Sequence, residues 1–196
     1  FALTESLGVG PVDAAFESIS GLTTTGATVL VGLDDLPPSL LLYRQLLQWL
    51  GGIGIIVVAV AVLPMLGIGG MQLYRAETPG PSKDSKLTPR IAETAKALFV
   101  IYVALTATCG LAYYAAGMTP FDALCHAFST VAIGGFSTHD ASIGYFDSKT
   151  IYLICTLFML VSAINFGMHY SAFKRRSLGH YRQDSETRFF GSAMLV

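Results

Sequence analysis

The sequence predicts an all-α integral membrane protein built from repeated units of helix, half-length helix, loop and helix. Three observations carry that prediction. The 196-residue chain is 53% hydrophobic and only 13% charged, with a mean hydropathy of +0.57, too apolar for an average soluble domain. Uncharged runs long enough to span a bilayer, such as Leu46–Leu66, alternate with short charged loops. A glycine-bearing stretch occurs twice, as Thr23-Thr24-Thr25-Gly26-Ala27-Thr28 and as Ala132-Ile133-Gly134-Gly135-Phe136-Ser137.

Each copy follows a brief apolar segment that opens Pro-x-Asp-Ala, at Pro11–Ala14 and at Pro120–Ala123. Pro, Asp, Ala, a Ser (Ser20, Ser129) and the central Gly recur at one offset of about 109 residues. A lone Thr-Thr-Thr-Gly would read as a turn or a helix-packing glycine, but repetition in register marks a structural repeat.

In chain order, residues 1–66 form a first repeat without its outer helix, the chain opening as if in mid-sequence. Residues 11–21 form a half-length helix, with Pro11 at a first helical position and Asp13 in the first turn, where the helix dipole favours an acid. Eleven residues rise about 16 Å, half of a ~30 Å hydrocarbon core, so the chain must turn back through 23–28. Residues 31–44, with Pro37 and Pro38, read as an outer loop, and 45–66 as a membrane helix that Pro64 kinks or ends. Gly51, Gly52 and Gly54 offer it a small surface for close contact. Trp49 is either an interface anchor or packed inside.

Residues 67–96 are a basic linker, and Thr88-Pro89 resembles a helix start. A second repeat occupies 97–173: a membrane helix at 97–118, a half-length helix at 120–130 with Thr119 as N-cap, the loop at 132–137 and a membrane helix at 151–173. Residues 174–196 are a basic loop that turns apolar, as if another span were starting. The loops 67–96 and 174–188 hold ten of the twelve Lys and Arg residues, so the positive-inside rule places them in the cytoplasm and both glycine loops outside. Two copies facing the same way form a parallel repeat around a pore axis.

Irregular backbone at membrane depth survives only where protein buries it or where it lines water. A loop of small and hydroxyl residues around a Gly can aim successive carbonyls inward to replace a cation's hydration shell. The half-helix before it points the partial-negative end of its dipole the same way. The spacing therefore favours a cation. Net charge −1 and the lack of a basic, aromatic-interleaved patch give no support to nucleic-acid binding. No nucleophile–base grouping points to an enzyme. Cys109, Cys125 and Cys155 read as small buried hydrophobes. Gly67-Ile68-Gly69-Gly70 lacks the strand–helix context of a phosphate loop. His126 reads as packed or lumen-facing. His139 and Asp140 belong to a vestibule or a solvated loop, and Asn165 lines an inner cavity or joins helices.

The two loops, together with Gln48-Trp49-Leu50-Gly51-Gly52, Ile133–Asp140 and Gly144–Ser148, resemble the Trk/Ktr/HKT superfamily of potassium transporters, most closely its bacterial Trk-type membrane subunits. The resemblance covers essentially the whole chain. It implies four helix–pore-helix–filter-loop–helix repeats, as in potassium channels, of which this chain carries two and reads as a fragment. It also implies potassium binding by the backbone carbonyls of Thr24, Thr25, Ile133 and Gly134, with Gly26 and Gly135 as filter glycines and Ala27, Thr28, Phe136 and Ser137 as flanks. A Gly at the first filter position goes with potassium, where a Ser in some plant relatives goes with sodium. Potassium uptake across the bacterial inner membrane, a cytosolic nucleotide-binding regulatory partner, a homodimer of the full-length subunit and no cofactor besides the transported ion are the further implications. An alternating-access carrier for another cation or solute is the alternative, and it would call for inverted rather than parallel repeats.

Overall fold

The computed structural model describes residues 9–62, 84–175, 179, 181 and 184–194, and among them every regular element is helical. The elements are α1 (Pro11–Leu22), a 3₁₀ turn (Leu33–Asp35), α2 (Pro38–Val62), α3 (Asp84–Ala115), α4 (Pro120–Ala132), a second 3₁₀ turn (Ser142–Phe146), α5 (Lys149–Ala163), α6 (Phe166–Arg175) and α7 (Ser185–Ala193). The chain divides into two compact units, Phe1–Ile53 with Tyr102–Ala163, and Gly54–Ile101 with Ile164–Val196. Both glycine loops and both short helices belong to the first unit.

The short helices form as their sequences dictate. Each starts on a proline whose missing N–H costs nothing there. In α4 the Thr119 hydroxyl accepts from Asp122 N at 3.1 Å and donates to its carboxylate at 2.6 Å. Their lengths, 12 and 13 residues, make each about 18–20 Å long.

The long helices depart from their expected bounds, each for a local reason. Helix α2 begins at Pro38, not at 45. Pro37 does not prolong the loop but caps the helix, its carbonyl accepting from Leu40 N and Leu41 N at 2.9 and 3.3 Å. This moves Arg44 from the expected outer loop into the helix, where it is buried. Helix α3 begins at Asp84, inside the expected linker, and ends at Ala115 rather than 118. Gly117 takes φ +103°, and Met118 N reaches back to Tyr113 O at 3.2 Å, a Schellman-type stop. The expected single helix over 151–173 is two helices, α5 and α6, broken at Ile164 and Asn165. The Asn165 side-chain oxygen accepts from Gly167 N and its carbonyl from Met168 N, both at 2.8 Å, so this residue starts a new helix where the uncharged run promised continuity. The expected end near Pro64 and the linker 67–83, including Gly67–Gly70, lie outside the described residues.

The buried side chains of the first unit include Leu33, Leu40, Tyr102, Tyr113, Cys109 and Cys125. Trp49 packs inward, its ring centroid 5.7 Å from Tyr102 and 5.3 Å from Phe128, and its Nε1–H donates to Thr106 Oγ1 at 3.0 Å. Gly51 and Gly52 take the close contacts expected of them. A β-carbon on Gly51 would stand 2.0 Å from Leu22 O, and one on Gly52 2.6 Å from the Tyr102 hydroxyl. A β-carbon on Gly54 would meet nothing within 4 Å among the described residues.

Candidate functional site

The two glycine loops repeat in backbone geometry as they do in sequence. Just past each short helix comes a non-glycine residue in the left-handed region, Thr24 at φ +55° and Ile133 at φ +52°. Two residues later comes a glycine with positive φ, Gly26 at +76° and Gly135 at +89°. The hydrogen bonds coincide as well. Thr24 N donates to Gly21 O at 3.0 Å, as Ile133 N does to Thr130 O at 3.1 Å. Thr25 N donates to Ser20 O at 2.9 Å, as Gly134 N does to Ser129 O at 2.8 Å. Left-handed backbone at Thr24 and Ile133 is strained for β-branched residues, and the same strain appears in both loops.

The loops meet. A β-carbon on Gly26 would stand 2.0 Å from the Gly134 carbonyl oxygen, so the two backbones approach with no room for a side chain. Behind Gly134 lies the Gln48 amide, whose atoms would be 2.4–2.7 Å from a β-carbon there. Gln48 Oε1 accepts from Phe136 N at 3.2 Å.

The hydroxyl two residues past each filter glycine is held by a side chain from the short helix, again at equivalent positions. In the first loop Thr28 Oγ1 donates to Glu17 Oε1 at 2.7 Å, and Glu17 Oε2 accepts from Val29 N at 3.1 Å. In the second loop Ser137 Oγ lies 2.9 Å from His126 Nε2, while His126 Nδ1 lies 2.9 Å from Asp122 O. His126 is therefore packed behind the loop, and Thr138 Oγ1 is tied to Asp122 Oδ1 at 2.7 Å. Ser20 Oγ donates to Ala27 O at 2.6 Å, and the Thr23 and Thr25 hydroxyls lie 2.8 Å apart.

Glu17, and Arg44 from the stretch expected to be outer loop, complete this scaffold. Both are 1% exposed, and Arg44 Nη2 and Nε reach Glu17 Oε1 at 2.7 and 3.0 Å. Arg44 Nη2 also donates to Thr28 Oγ1 at 3.1 Å, Nη1 donates to Ser137 O at 3.3 Å, and the guanidinium carbon lies 4.2 Å from the centre of the Phe136 ring. The available signal was Glu17, an acid beyond the first turn of a half-length helix where the dipole no longer accounts for it, a costly placement that asks for a partner.

Past the loops, His139 and Asp140 join the outer segments of the two repeats. Asp140 accepts from Gly32 N at 2.9 Å and Leu33 N at 3.1 Å. His139 Nδ1 is hydrogen-bonded to Asp34, whose other oxygen accepts from Asp140 N at 3.3 Å. The His139 bond, then that from Asp140, holds the Asp34 carboxyl below the ordinary carboxylate range.

The chain has close counterparts among known proteins. The family model described as "TrkH: Cation transport protein" matches residues 2–192. The chain belongs to the TrkH family of cation transport proteins. It is 67% identical over 187 residues to the Trk system potassium uptake protein TrkH of Halomonas elongata, covering 95% of this chain and 39% of that protein. Its identity to the protein of the same name from Escherichia coli K12 is 63% over 190 residues, covering 97% of this chain and 39% of the relative. Among solved structures, the crystal structure of the potassium transporter TrkH from Vibrio parahaemolyticus matches with a TM-score of 0.80 and 56% identity, over 93% of this chain and 36% of that one. The chain thus spans about two fifths of the length of the TrkH relatives it matches.

Proposed function

We propose that this segment forms two of the four pore repeats of a potassium uptake subunit, with the two glycine loops as adjacent quarters of a carbonyl-lined selectivity filter. One observation carries the reading: two loops with the same left-handed residue, the same positive-φ glycine and the same helix-closing hydrogen bonds, in backbone contact between Gly26 and Gly134. Potassium is the transported ion, taken by the backbone carbonyls of Thr24, Thr25, Ile133 and Gly134. Such carbonyls substitute for the hydration shell, and the C-terminal ends of α1 and α4 favour positive charge beside them. The residues present suit the ion, because the Thr28 and Ser137 side chains are engaged sideways, with Glu17 and His126, which leaves the backbone to face it.

The setting is the bacterial inner membrane. In support, among the described residues Ala95–Ala115 is one 21-residue stretch with mean hydropathy 1.8, long and apolar enough to cross. The first unit also presents Val12, Ile19, Leu111 and Leu153 outward, a surface suited to lipid or to further apolar helices. The filter loops face outward, and 67–96 and 174–188 face the cytoplasm, where a nucleotide-binding regulatory protein docks on a homodimer of the full-length subunit.

The test is potassium uptake by the full-length subunit in cells stripped of other uptake systems, with rubidium and sodium as competitors. Potassium-selective rescue that is lost on Gly135→Ser is the expected result. Rescue indifferent to Gly135 would sink the filter reading.

A further inference from the structure

Helix α2, which follows the first loop, sends two side chains one turn apart into the backbone of the second loop. Arg44 donates to Ser137 O at 3.3 Å and covers the Phe136 ring, and Gln48 accepts from Phe136 N at 3.2 Å. Arg44 is meanwhile anchored in the first loop through Glu17 and Thr28. Four residues along a helix lie on one face, so the two contacts act as a single rigid strut. Both residues are at most 1% exposed, and the Gln48 Nε2 has no hydrogen-bond partner among the described residues. An amide kept there with both N–H donors unpaired is costly, while the bond that its oxygen accepts from Phe136 N ties it to the second loop.

The strut is not a general feature of the repeat. Helix α5, the counterpart of α2 in the second repeat, has no charged or amide side chain after Lys149. Arg44 is also suited to its task in a way that Lys is not. The planar fork can bond Glu17, Thr28 and Ser137 O at once while its face lies on Phe136, whereas an ammonium is a point charge.

We propose that Arg44 and Gln48 are positioning residues that hold the first and second filter loops in register, and that this register sets discrimination between potassium and sodium. The proposal rests on the filter reading above. Neither side chain touches the ion; both act through the backbone of residues 136 and 137. A cage of carbonyls selects by small differences in position and number of ligands, and supporting residues must hold such a site within about 0.5 Å.

The experiment uses the full-length subunit in cells lacking other potassium uptake, with Arg44→Lys, Gln48→Met, and Gly26→Ser as the control for the filter itself. Membrane protein amount, the maximal uptake rate and the ratio of sodium to potassium inhibition of rubidium uptake are read for each. Arg44→Lys keeps the charge opposite Glu17 but loses the fork, and Gln48→Met keeps the volume but loses the acceptor. Each is expected to lower potassium-over-sodium discrimination about tenfold at normal protein amount, the scale of a small misplacement at a site. A merely structural role would lower amount and rate and leave the ratio alone. Unchanged discrimination in both variants, or loss of the protein from the membrane in both, would overturn the strut. If Gly26→Ser also leaves discrimination unchanged, the filter reading has failed; if Gly26→Ser relaxes it and the other two do not, the strut alone has failed.

Discussion

Gly26 abuts the carbonyl oxygen of Gly134: a β-carbon at residue 26 would stand 2.0 Å from it, while one at Gly135 would meet nothing nearer than Gly26 Cα at 3.8 Å. The two glycines are therefore constrained differently. Both have positive φ, which costs an L-residue about 1–2 kcal/mol. Gly26 adds a backbone clash that no side-chain rotamer relieves. Thermal unfolding of the full-length protein in detergent is expected to show Gly135→Ala destabilised by about 1–2 kcal/mol and Gly26→Ala by more. Equal losses would mean that the two loops do not keep this contact.

Thr24 offers the complementary comparison. Thr24→Val retains the carbonyl and the β-branched shape, so its effect on potassium-over-sodium selectivity is expected to be smaller than that of Gly26→Ser. Competition of sodium with rubidium uptake measures both. Equal effects would assign the ion contacts to the threonine hydroxyl rather than to backbone.

The Glu17–Arg44 pair is buried at both ends. Deleting one partner strands the other, which costs about 3–5 kcal/mol, whereas replacing a buried pair by apolar groups of similar volume is often neutral. Glu17→Gln is therefore expected to lower the unfolding midpoint strongly, and Glu17→Gln combined with Arg44→Met to lose less than the sum of the two single changes. Additive losses would show that the residues do not act as a pair.

What the sequence made legible was local. The repeated Pro-x-Asp-Ala starts, the half-length helices, the Thr119 cap and the two positive-φ glycines all follow from residues close together in the chain. The parts that escaped depend on partners far apart or on local competition. Glu17 and Arg44 are 27 residues apart and Gln48 and Phe136 are 88 apart, so no periodicity joins them. Pro37 and Pro38 read as loop because two prolines more often break a helix than begin one, yet Pro38 sits where its missing N–H is harmless. The break at Asn165 lay inside an uncharged run, where hydropathy saw a single span and the side-chain oxygen turned out to start a new helix.

Helix α2 supplies an internal control for close packing. A β-carbon on Gly51 would lie 2.0 Å from Leu22 O at the end of α1, while one on Gly54 would meet nothing within 4 Å among the described residues. Gly51→Ala must push the first filter helix away and is expected to reduce both stability and uptake. Gly54→Ala gains helix propensity, about 0.8–1 kcal/mol in a free helix interior, and is expected to be neutral or mildly stabilising. Midpoints from thermal unfolding decide, and a reversed order would remove the contact between α1 and α2 from the account.

Asp34 ties the outer loops together through His139 and Asp140, and its carboxyl titrates below the ordinary value. A carboxylate whose folded pKa is depressed adds stability above its unfolded pKa of about 3.9 and loses it as pH falls through the lower folded value. The contribution should therefore persist on mild acidification and fade only below about pH 4. Asp34→Asn lacks the titrating group. Unfolding midpoints of wild type and Asp34→Asn are expected to differ at pH 5 and to begin to draw together as the pH is taken below 4. A gap that does not narrow at all as the pH is lowered below 4 would mean that the Asp34 charge is not what joins the first outer loop to the second.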